Sequence, residues 1–270
     1  MGRMTAHIAV LPERALIRVD GPDWRPFLHN LLTHDLETLE PGALRFCALL
    51  TPQGRLLHDL FVQAGETGAL LDVAAAGREA LVKRLTLYRL RAKVTIEAVD
   101  GLVAAAWGDA PPGETWAQDP RLPALGWRAL GYDGPLTAEA DAYHAHRLAL
   151  GVPDPAIDGR DTDYPLELDF DLLNGIDFKK GCFIGQETTS RMKRRGTIKT
   201  RAVPLAFEGS PPPPGSEVLV GELRAGELRG GADGRAIALL RLDRAASGPL
   251  TADGRPVQIV APPWLAPHLS

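Results

Sequence analysis

Apolar residues recur along this chain with two periods, one typical of strands and the other of helices. Alternation in residues 7–19, interrupted at Pro12, predicts a hairpin of two short strands. The apolar residues after Pro22 recur at helical spacing, so we expect a helix there with one buried face. Residues 44–50 and 56–62 have the pattern of a second strand pair, because the turn between them contains proline and glycine. The first part of the chain therefore mixes strands and helices.

The centre of the chain continues this mixture and then loses its pattern. We predict strands at 69–74, 92–99 and 102–107, and a helix at 78–89 between the first two of them. Residues 108–134 are rich in proline and glycine, which is typical of long surface loops or of a connection between subdomains. Residues 137–150 then predict a helix with Thr137 as its N-cap and Gly151 as its stop.

Short apolar segments separated by glycine, proline and aspartate fill the chain from Thr197 onward. Many short strands with turns between them are typical of a small antiparallel barrel. The proline run 211–214 followed by Gly215 predicts a stiff surface turn within this part. The pattern as a whole predicts an α+β protein that ends in an antiparallel β-barrel.

Composition narrows the class of protein. The chain has 270 residues, of which 45% are hydrophobic, and a formal net charge of −4. These values are ordinary for a soluble globular protein with a sizeable core, and they argue against general attraction to nucleic acid or membranes. We find no apolar segment long enough to span a bilayer, no export signal and no arginine-rich leader, so we expect a cytoplasmic protein rather than one of the mitochondrial matrix.

Cys47 and Cys182 are the only cysteines, and they lie in different contexts. Two distant thiols fit a reducing compartment and do not indicate a structural disulfide. Two thiols also cannot supply the four cysteine ligands of a typical iron–sulfur cluster, so a cluster would need ligands from a partner, a second protomer or a small molecule. Cys47 stands among apolar residues of a predicted strand, and we expect it to be buried.

Cys182 lies in the stretch 178–187, FKKGCFIGQE, just before a predicted helix at 186–195. The neighbouring lysines and the helix dipole would stabilise its thiolate, which makes it a candidate nucleophile or ligand for a soft metal. Its flanking glycines leave room for a ligand to approach. The alternative is a surface turn with solvated lysines and an inert thiol.

The string from Lys180 to Glu187, KGCFIGQE, resembles the signature of the YgfZ family. This family is a branch of the superfamily that contains the glycine-cleavage T-protein, a folate-dependent aminomethyltransferase. The likeness covers about residues 15–200 and includes the segments FLHNLLTHDL, LLTPQGRLLHDLFV, LYRLRAKV, HRLALGVPD and YPLELDFDLLNGIDFKKG. It implies a T-protein-like folate-binding region over 1–200, in two subdomains joined near 108–135, and a C-terminal β-barrel domain over 201–270.

The same resemblance implies a function. Family members are expected to bind tetrahydrofolate or a one-carbon derivative and to support maturation of 4Fe–4S proteins, so iron–sulfur client proteins or assembly factors are the expected partners. Cys182 would be the reactive thiol, and Lys180 would stabilise its thiolate. Gln186 and Glu187 would orient the loop or cap the helix that follows.

The resemblance also suggests folate contacts. Glu167 matches the T-protein block in which a glutamate holds the pterin, and a carboxylate is a natural acceptor for the pterin amino and ring N–H groups. Arg147 could reach an anionic part of the ligand. Asp59 corresponds to one of two paired aspartates in the T-protein, and His58 replaces the other. This replacement weakens the case for aminomethyl transfer and leaves folate binding open.

Two other functions stay open at this point. The chain could be an aminomethyltransferase or another one-carbon transferase, which turnover of tetrahydrofolate with an aminomethylated carrier would reveal. It could instead be a partner-binding or RNA-binding module that uses the basic run 191–201, although this run lacks the aromatic residues on which RNA bases stack. The run could also meet the glutamate tail of folate, or form a solvated face. The acidic stretch 154–171 lacks the order of a calcium loop, and we expect it to be a solvated loop.

Overall fold

The computed structural model describes residues 6–108, 111–194, 196 and 198–269. The chain forms two compact units, one from residues 1–143 and 173–187 and the other from 144–172 and 188–270. The helices are α1 Trp24–Leu31, α2 Arg78–Arg89, α3 Ala140–Ala149, α4 Pro155–Asp158, α5 Gln186–Arg194 and α6 Leu242–Ala245. None of the helices in the described part of the chain has the length and apolar character needed to cross a bilayer.

The first unit contains two antiparallel sheets. Its strands are β1 His7–Val10, β2 Arg14–Asp20, β3 Leu44–Leu50, β4 Leu56–Ala64, β5 Gly68–Ala74, β6 Thr95–Val99, β7 Leu102–Trp107, β8 Ala117–Gln118 and β9 Trp127–Tyr132. One sheet has the order β3-β4-β5-β2-β6, and the other has the order β1-β7-β9-β8. The apolar faces of α1 and α2 pack on the first of these sheets, with Leu28 and Leu81 in the shared core.

The second unit is built on a closed barrel, as the sequence predicted. Its strands are β10 Thr200–Ala206, β11 Glu217–Val220, β12 Leu223–Ala232, β13 Arg235–Arg241, β14 Leu250–Ala252 and β15 Arg255–Ile259. They close in the order β10-β13-β12-β11-β14-β15, and every described pairing is antiparallel. Inward-facing residues such as Val203, Leu228 and Leu240 fill the barrel. The segment 144–172 groups with the barrel, so the unit boundaries do not coincide with a division at residue 200.

The hairpin predicted for residues 7–19 is wrong. Strand β1 pairs with β7 in one sheet, whereas β2 pairs with β5 and β6 in the other. Alternation shows that a segment is a strand, but it does not identify the strand beside it. The N-cap predicted at Thr137 is also wrong, because α3 begins at Ala140 and the Thr137 hydroxyl accepts the backbone N–H of Ile8 at 2.8 Å.

The prediction that residues 108–134 contain only loops or a connection is wrong for their last part. Strand β9 pairs with β7 in the middle of the four-stranded sheet. Gly126, just before β9, has φ +89°, and a Cβ there would lie 2.1 Å from the carbonyl oxygen of Ala106. Glycine therefore marks the close approach of two strands here, although in the sequence it resembles a loop residue.

Candidate functional site

The Cys182 loop, residues 177–185, exposes its thiol between two anchored neighbours. Cys182 is exposed, whereas the Phe183 side chain is 6% exposed. On the other side, the Lys180 ammonium turns inward and lies 5.6 Å from the centre of the Phe183 ring. A side chain between two fixed neighbours has a defined position even when it faces solvent. The Cys182 thiol is therefore exposed to solvent on a loop whose backbone is fixed in position.

Lys180 anchors the loop to the end of α1. Its Nζ donates hydrogen bonds to the carbonyl oxygens of Leu32 at 2.7 Å and His34 at 3.2 Å, and also to that of His29. Carbonyl groups at a helix C-terminus lack partners within the helix and carry partial negative charge, so an ammonium group suits them. Burial lowers the pKa of Lys180, while Cys47, Asp35, Asp177 and Glu37 raise it. The sequence analysis expected this ammonium to stabilise the Cys182 thiolate, whereas the structure directs it onto backbone carbonyl groups at the end of α1.

Thr33 and Asp177 fix the start of the loop. The fully buried Thr33 hydroxyl donates to the carbonyl oxygen of Gly175 at 2.6 Å and accepts the N–H of Ala48 at 2.8 Å. The Asp177 carboxylate accepts the N–H groups of Lys179 and Lys180 at 2.7 Å and 3.2 Å. The sequence analysis missed both residues, although an aspartate that can bond the backbone two or three residues ahead is a recognisable turn signal.

Glycine and glutamine close the other end of the loop. Gly185 has φ +81°, and a Cβ there would lie 2.7 Å from the carbonyl oxygen of Thr51 and 2.9 Å from Cα of Gly54. The loop thus lies directly on the β3–β4 turn, and only glycine fits at this point. The Gln186 amide donates to the carbonyl oxygen of Gly181 at 3.2 Å, so its partner is a backbone acceptor of the loop rather than a backbone donor. Glu187 is exposed in the first turn of α5.

Cys47 lies near this loop in an opposite environment. It is fully buried, as the sequence predicted, and burial raises the pKa of its thiol to about 12 despite the nearby charges of Lys180 and Arg45. At neutral pH this thiol is protonated and unreactive. The two cysteines of the chain are both free, and only Cys182 is accessible.

A cleft of about 630 Å³ opens in the same unit. Its lining includes His34, Arg45, Asp119 and Asn174. The buried Nε of Arg45 finds no hydrogen-bond partner among the described residues. Burial and the charge of Arg45 lower the pKa of His34, so its imidazole is neutral at neutral pH. The cleft has the volume of a small-molecule site, and Arg45 brings a cation to its lining. The sequence analysis missed Arg45, whose signal is a charge inside the apolar strand LRFCALL.

Asp59 belongs to a buried network of ion pairs in the first unit. Its Oδ2 lies 2.7 Å from Nη1 of Arg14, whose Nε lies 2.6 Å from Oδ1 of Asp72. Asp72 in turn pairs with Arg128 at 2.6 Å. The carboxylate of Asp59 is 4% exposed and already holds a cation. Removing one member of such a network leaves an unpaired buried charge, so its first role is structural.

Arg147 and Glu167 have partners within the second unit. The guanidinium of Arg147 is 2% exposed and pairs with Asp158 at 2.7 Å, while also donating to the carbonyl oxygen of Val152. The Glu167 carboxylate accepts the backbone N–H of Tyr164 at 3.0 Å and so caps a short helical turn. The structure does not bring Arg147 to an open site, and it leaves Glu167 half-buried.

The solvated loop predicted for the acidic stretch is wrong, because several of its aspartates are buried against arginines. Asp163 pairs with Arg229 at 2.8 Å, and Oδ1 of Asp169 accepts a hydrogen bond from Arg201 at 2.7 Å. Arg201 and Lys193 also bind Asp171, so two cations of the basic run 191–201 are already paired. Arg191 and Arg194 are exposed, and Arg195 lies outside the described residues.

A second cluster near the loop could hold a metal ion only at the expense of existing bonds. Ligand atoms of His29, Asp35 and Glu37 lie within 4.8 Å of one another. However, Nδ1 of His29 accepts the N–H of Leu36 at 3.2 Å, and Asp35 accepts bonds from Glu37 and Thr38. These hydrogen bonds hold the chain after α1 in place, which accounts for the cluster without a metal ion.

Comparisons with known proteins agree on the kind of protein. Residues 199–267 match the family described as CAF17, C-terminal beta-barrel domain. The chain is 34% identical to the human mitochondrial iron–sulfur cluster assembly factor IBA57, with 80% of this chain and 74% of the relative covered. The mouse protein of the same name is also 34% identical, with 93% and 82% covered.

Fungal and structural relatives extend the comparison. The IBA57 homolog of Neurospora crassa is 33% identical over 77% of this chain, which spans only 56% of that relative's length. Among solved structures, the glycine cleavage system aminomethyltransferase T from Bartonella henselae matches with a TM-score of 0.77 and 17% identity, over 97% of this chain and 87% of that one. At this identity the structural match shows a common fold.

Proposed function

Because the chain belongs to the IBA57/YgfZ family of iron–sulfur cluster assembly factors, we propose that it helps to assemble or repair 4Fe–4S clusters in client enzymes through Cys182. The observation that carries this proposal is the exposed thiol on a held loop. A thiol in such a position can ligate iron in transit and release it to a partner, because it makes one bond rather than a closed set of four. The iron is the cargo in this scheme, and the remaining ligands come from the client or from another assembly factor.

Tetrahydrofolate, or a one-carbon derivative of it, is the proposed small-molecule ligand. Bound folate would supply a carrier for a one-carbon unit. The cleft beside β3 supports this part of the proposal, since the Arg45 guanidinium in its lining suits a carboxylate and the neutral His34 can exchange hydrogen bonds with a heterocycle. Glu167 remains a predicted pterin contact. Arg147 and Asp59 act as supports through their buried ion pairs rather than as direct ligands.

Folate binding can be tested directly with purified protein by titration calorimetry. We expect saturable binding of tetrahydrofolate that Arg45→Ala weakens by about tenfold, because a charge-assisted hydrogen bond is lost. Arg18→Ala is a matched control, since the Arg18 side chain is 55% exposed on β2. Absence of saturable binding by the wild-type protein would overturn the folate part and leave the thiol part standing.

The alternatives are less well supported. Aminomethyl transfer would use Asp59, whose carboxylate is buried against Arg14. A binding module based on the run 191–201 would use cations of which Lys193 and Arg201 are already paired. The cytoplasm remains the proposed compartment, although the relatives named above are mitochondrial proteins.

The assembly function is tested in cells that lack this protein. We expect the activity of a 4Fe–4S dehydratase to be low there and to return when the protein is produced, while a 2Fe–2S enzyme measured in the same extracts serves as the control. Failure to restore the 4Fe–4S activity, with the protein present in normal amount, would contradict the assembly role.

A further inference from the structure

The end of α2 carries two exposed leucines. Leu87 is 76% exposed and Leu90 is 88% exposed, and these are the two highest values among the exposed large apolar residues of the described chain. Leu81 and Leu85 of the same helix are buried in the core, so the exposed leucines are not part of the packed face. Two large apolar side chains exposed within four residues at one helix end form a candidate contact surface. We call residues 83–93 the α2 tip.

The backbone of the α2 tip holds Leu90 in a conformation that leucine rarely adopts. Leu90 has φ 46° and ψ −101°, and the N–H of Ala92 donates to the carbonyl oxygen of Arg89 at 2.8 Å. These values are those of the first central residue of a type II′ turn, where glycine is strongly preferred. A leucine here strains the backbone and exposes an apolar side chain at the same time. Strain of this kind is kept at sites where the side chain has a function.

The charge of the α2 tip is opposite to that of the whole protein. It contains five cations, Lys83, Arg84, Arg89, Arg91 and Lys93, and the sequence has no acidic residue between Ala80 and Ile96. The chain as a whole has a formal net charge of −4. A basic rim around an apolar centre is complementary to an acidic surface that surrounds an apolar pocket.

We propose that the α2 tip docks onto an acidic partner protein, with Leu87 and Leu90 inserted in an apolar pocket of the partner. Three of the five cations are arginines, which bind carboxylates in bidentate fashion. Binding of nucleic-acid phosphates would not explain the exposed leucines, and binding to a lipid surface would not explain the fixed backbone geometry at Leu90. The proposal concerns a surface apart from the Cys182 loop and stands whether or not the thiol carries iron.

Photo-crosslinking in cells that produce the protein identifies the partner. The probe is Thr86→p-benzoylphenylalanine, because Thr86 is exposed between the cations and leaves both leucines in place. Leu136→p-benzoylphenylalanine is the control, since Leu136 is 52% exposed elsewhere in the same unit. We expect one acidic protein that links to position 86 and not to position 136. Absence of such an adduct would overturn the proposal.

Affinity of the purified partner for variants then tests the contact itself. We expect Leu87→Ser with Leu90→Ser to weaken binding by about tenfold or more, and Lys83→Glu with Arg91→Glu to weaken it and reduce its dependence on salt. Leu136→Ser should bind as the wild type does. Leu90→Gly should fold at least as stably as the wild type, because it relieves the strained φ, and should still bind more weakly.

Three results would contradict the docking proposal. The first is a partner affinity that the double leucine variant leaves unchanged. The second is that the wild-type protein binds no partner protein and instead sediments with vesicles of phosphatidylcholine and phosphatidylglycerol, while the leucine variant does not. The third is binding of single-stranded RNA that depends on the same cations and not on the leucines.

Discussion

At the scale of single residues, the two cysteines show how position decides chemistry. Cys47 is fully buried in β3, whereas Cys182 faces solvent between the half-buried Lys180 and the buried Phe183. The sequence predicted both environments, because apolar neighbours surround one thiol and glycines and lysines surround the other. It could not predict that the Lys180 ammonium binds backbone carbonyls, since these belong to residues 29–34.

The accessibility of the two thiols predicts their reactivity. In the native protein near pH 8, we expect a thiol reagent such as iodoacetamide to modify one cysteine, Cys182, because burial keeps Cys47 protonated with a pKa of about 12. Cys47 should react only after unfolding in urea. Mass spectrometry of digested protein assigns the label. Rapid labelling of native Cys182→Ser would show that Cys47 is accessible and would contradict the description.

Asp169 predicts a dependence of stability on pH. Burial raises the pKa of this carboxyl from 3.8 to about 8, although Arg201 acts against the shift. Between these two values the folded protein holds a proton that the unfolded chain has lost, so the contribution of Asp169 to stability falls as pH rises, by about 1.4 kcal/mol per pH unit.

Urea unfolding of Asp169→Asn at several pH values measures this contribution. We expect the difference in unfolding free energy between wild type and variant to change by about 1 kcal/mol per unit from about pH 5 to 7, with the wild type losing stability as pH rises. The exposed Asp243→Asn should show no such slope. Parallel curves for wild type and Asp169→Asn would contradict the raised pKa.

At the scale of elements, local patterns predicted elements well and their partners less well. The β3–β4 hairpin is confirmed because its turn, Thr51 to Arg55, lies between the two strands that it joins. The hairpin predicted for residues 7–19 failed because β1 and β2 pair with strands far along the chain. Strand β9 was missed because Gly126, which resembles a loop residue in the sequence, serves close strand packing. Pattern therefore predicts an element more reliably than its place in a sheet.

The Cys182 loop predicts that substitution of one of its glycines is destabilising and that of the other is not. Gly185→Ala should lower the free energy of unfolding by about 1–3 kcal/mol, because φ is +81° there and the new Cβ meets backbone atoms of the β3–β4 turn. Gly181→Ala is the matched control, since a Cβ there has nothing within 4 Å. Urea unfolding measures the first effect, and the rate of Cys182 alkylation reports whether the loop has moved. Equal stability of the two variants would contradict the close contact at Gly185.

At the scale of the whole molecule, the fold class and the barrel followed from the sequence, whereas the charge pairing did not. Acidic residues of 154–171 pair with arginines up to 66 residues away, as Asp163 does with Arg229. A charged residue looks the same in sequence whether it is solvated or held by a distant partner. For the same reason the sequence named Arg147 and Asp59 as ligand contacts, and the structure gives each a buried counter-ion.

The measurement that tests the central claim most directly is rescue of 4Fe–4S enzyme activity by Cys182→Ser in cells that lack this protein. The wild-type protein and Cys47→Ser, produced in matched amounts, serve as controls. We predict that Cys182→Ser restores little of the activity that the wild type restores, while Cys47→Ser at the buried site acts as the wild type does wherever it folds. Full rescue by Cys182→Ser would contradict the claim that the exposed thiol carries the function.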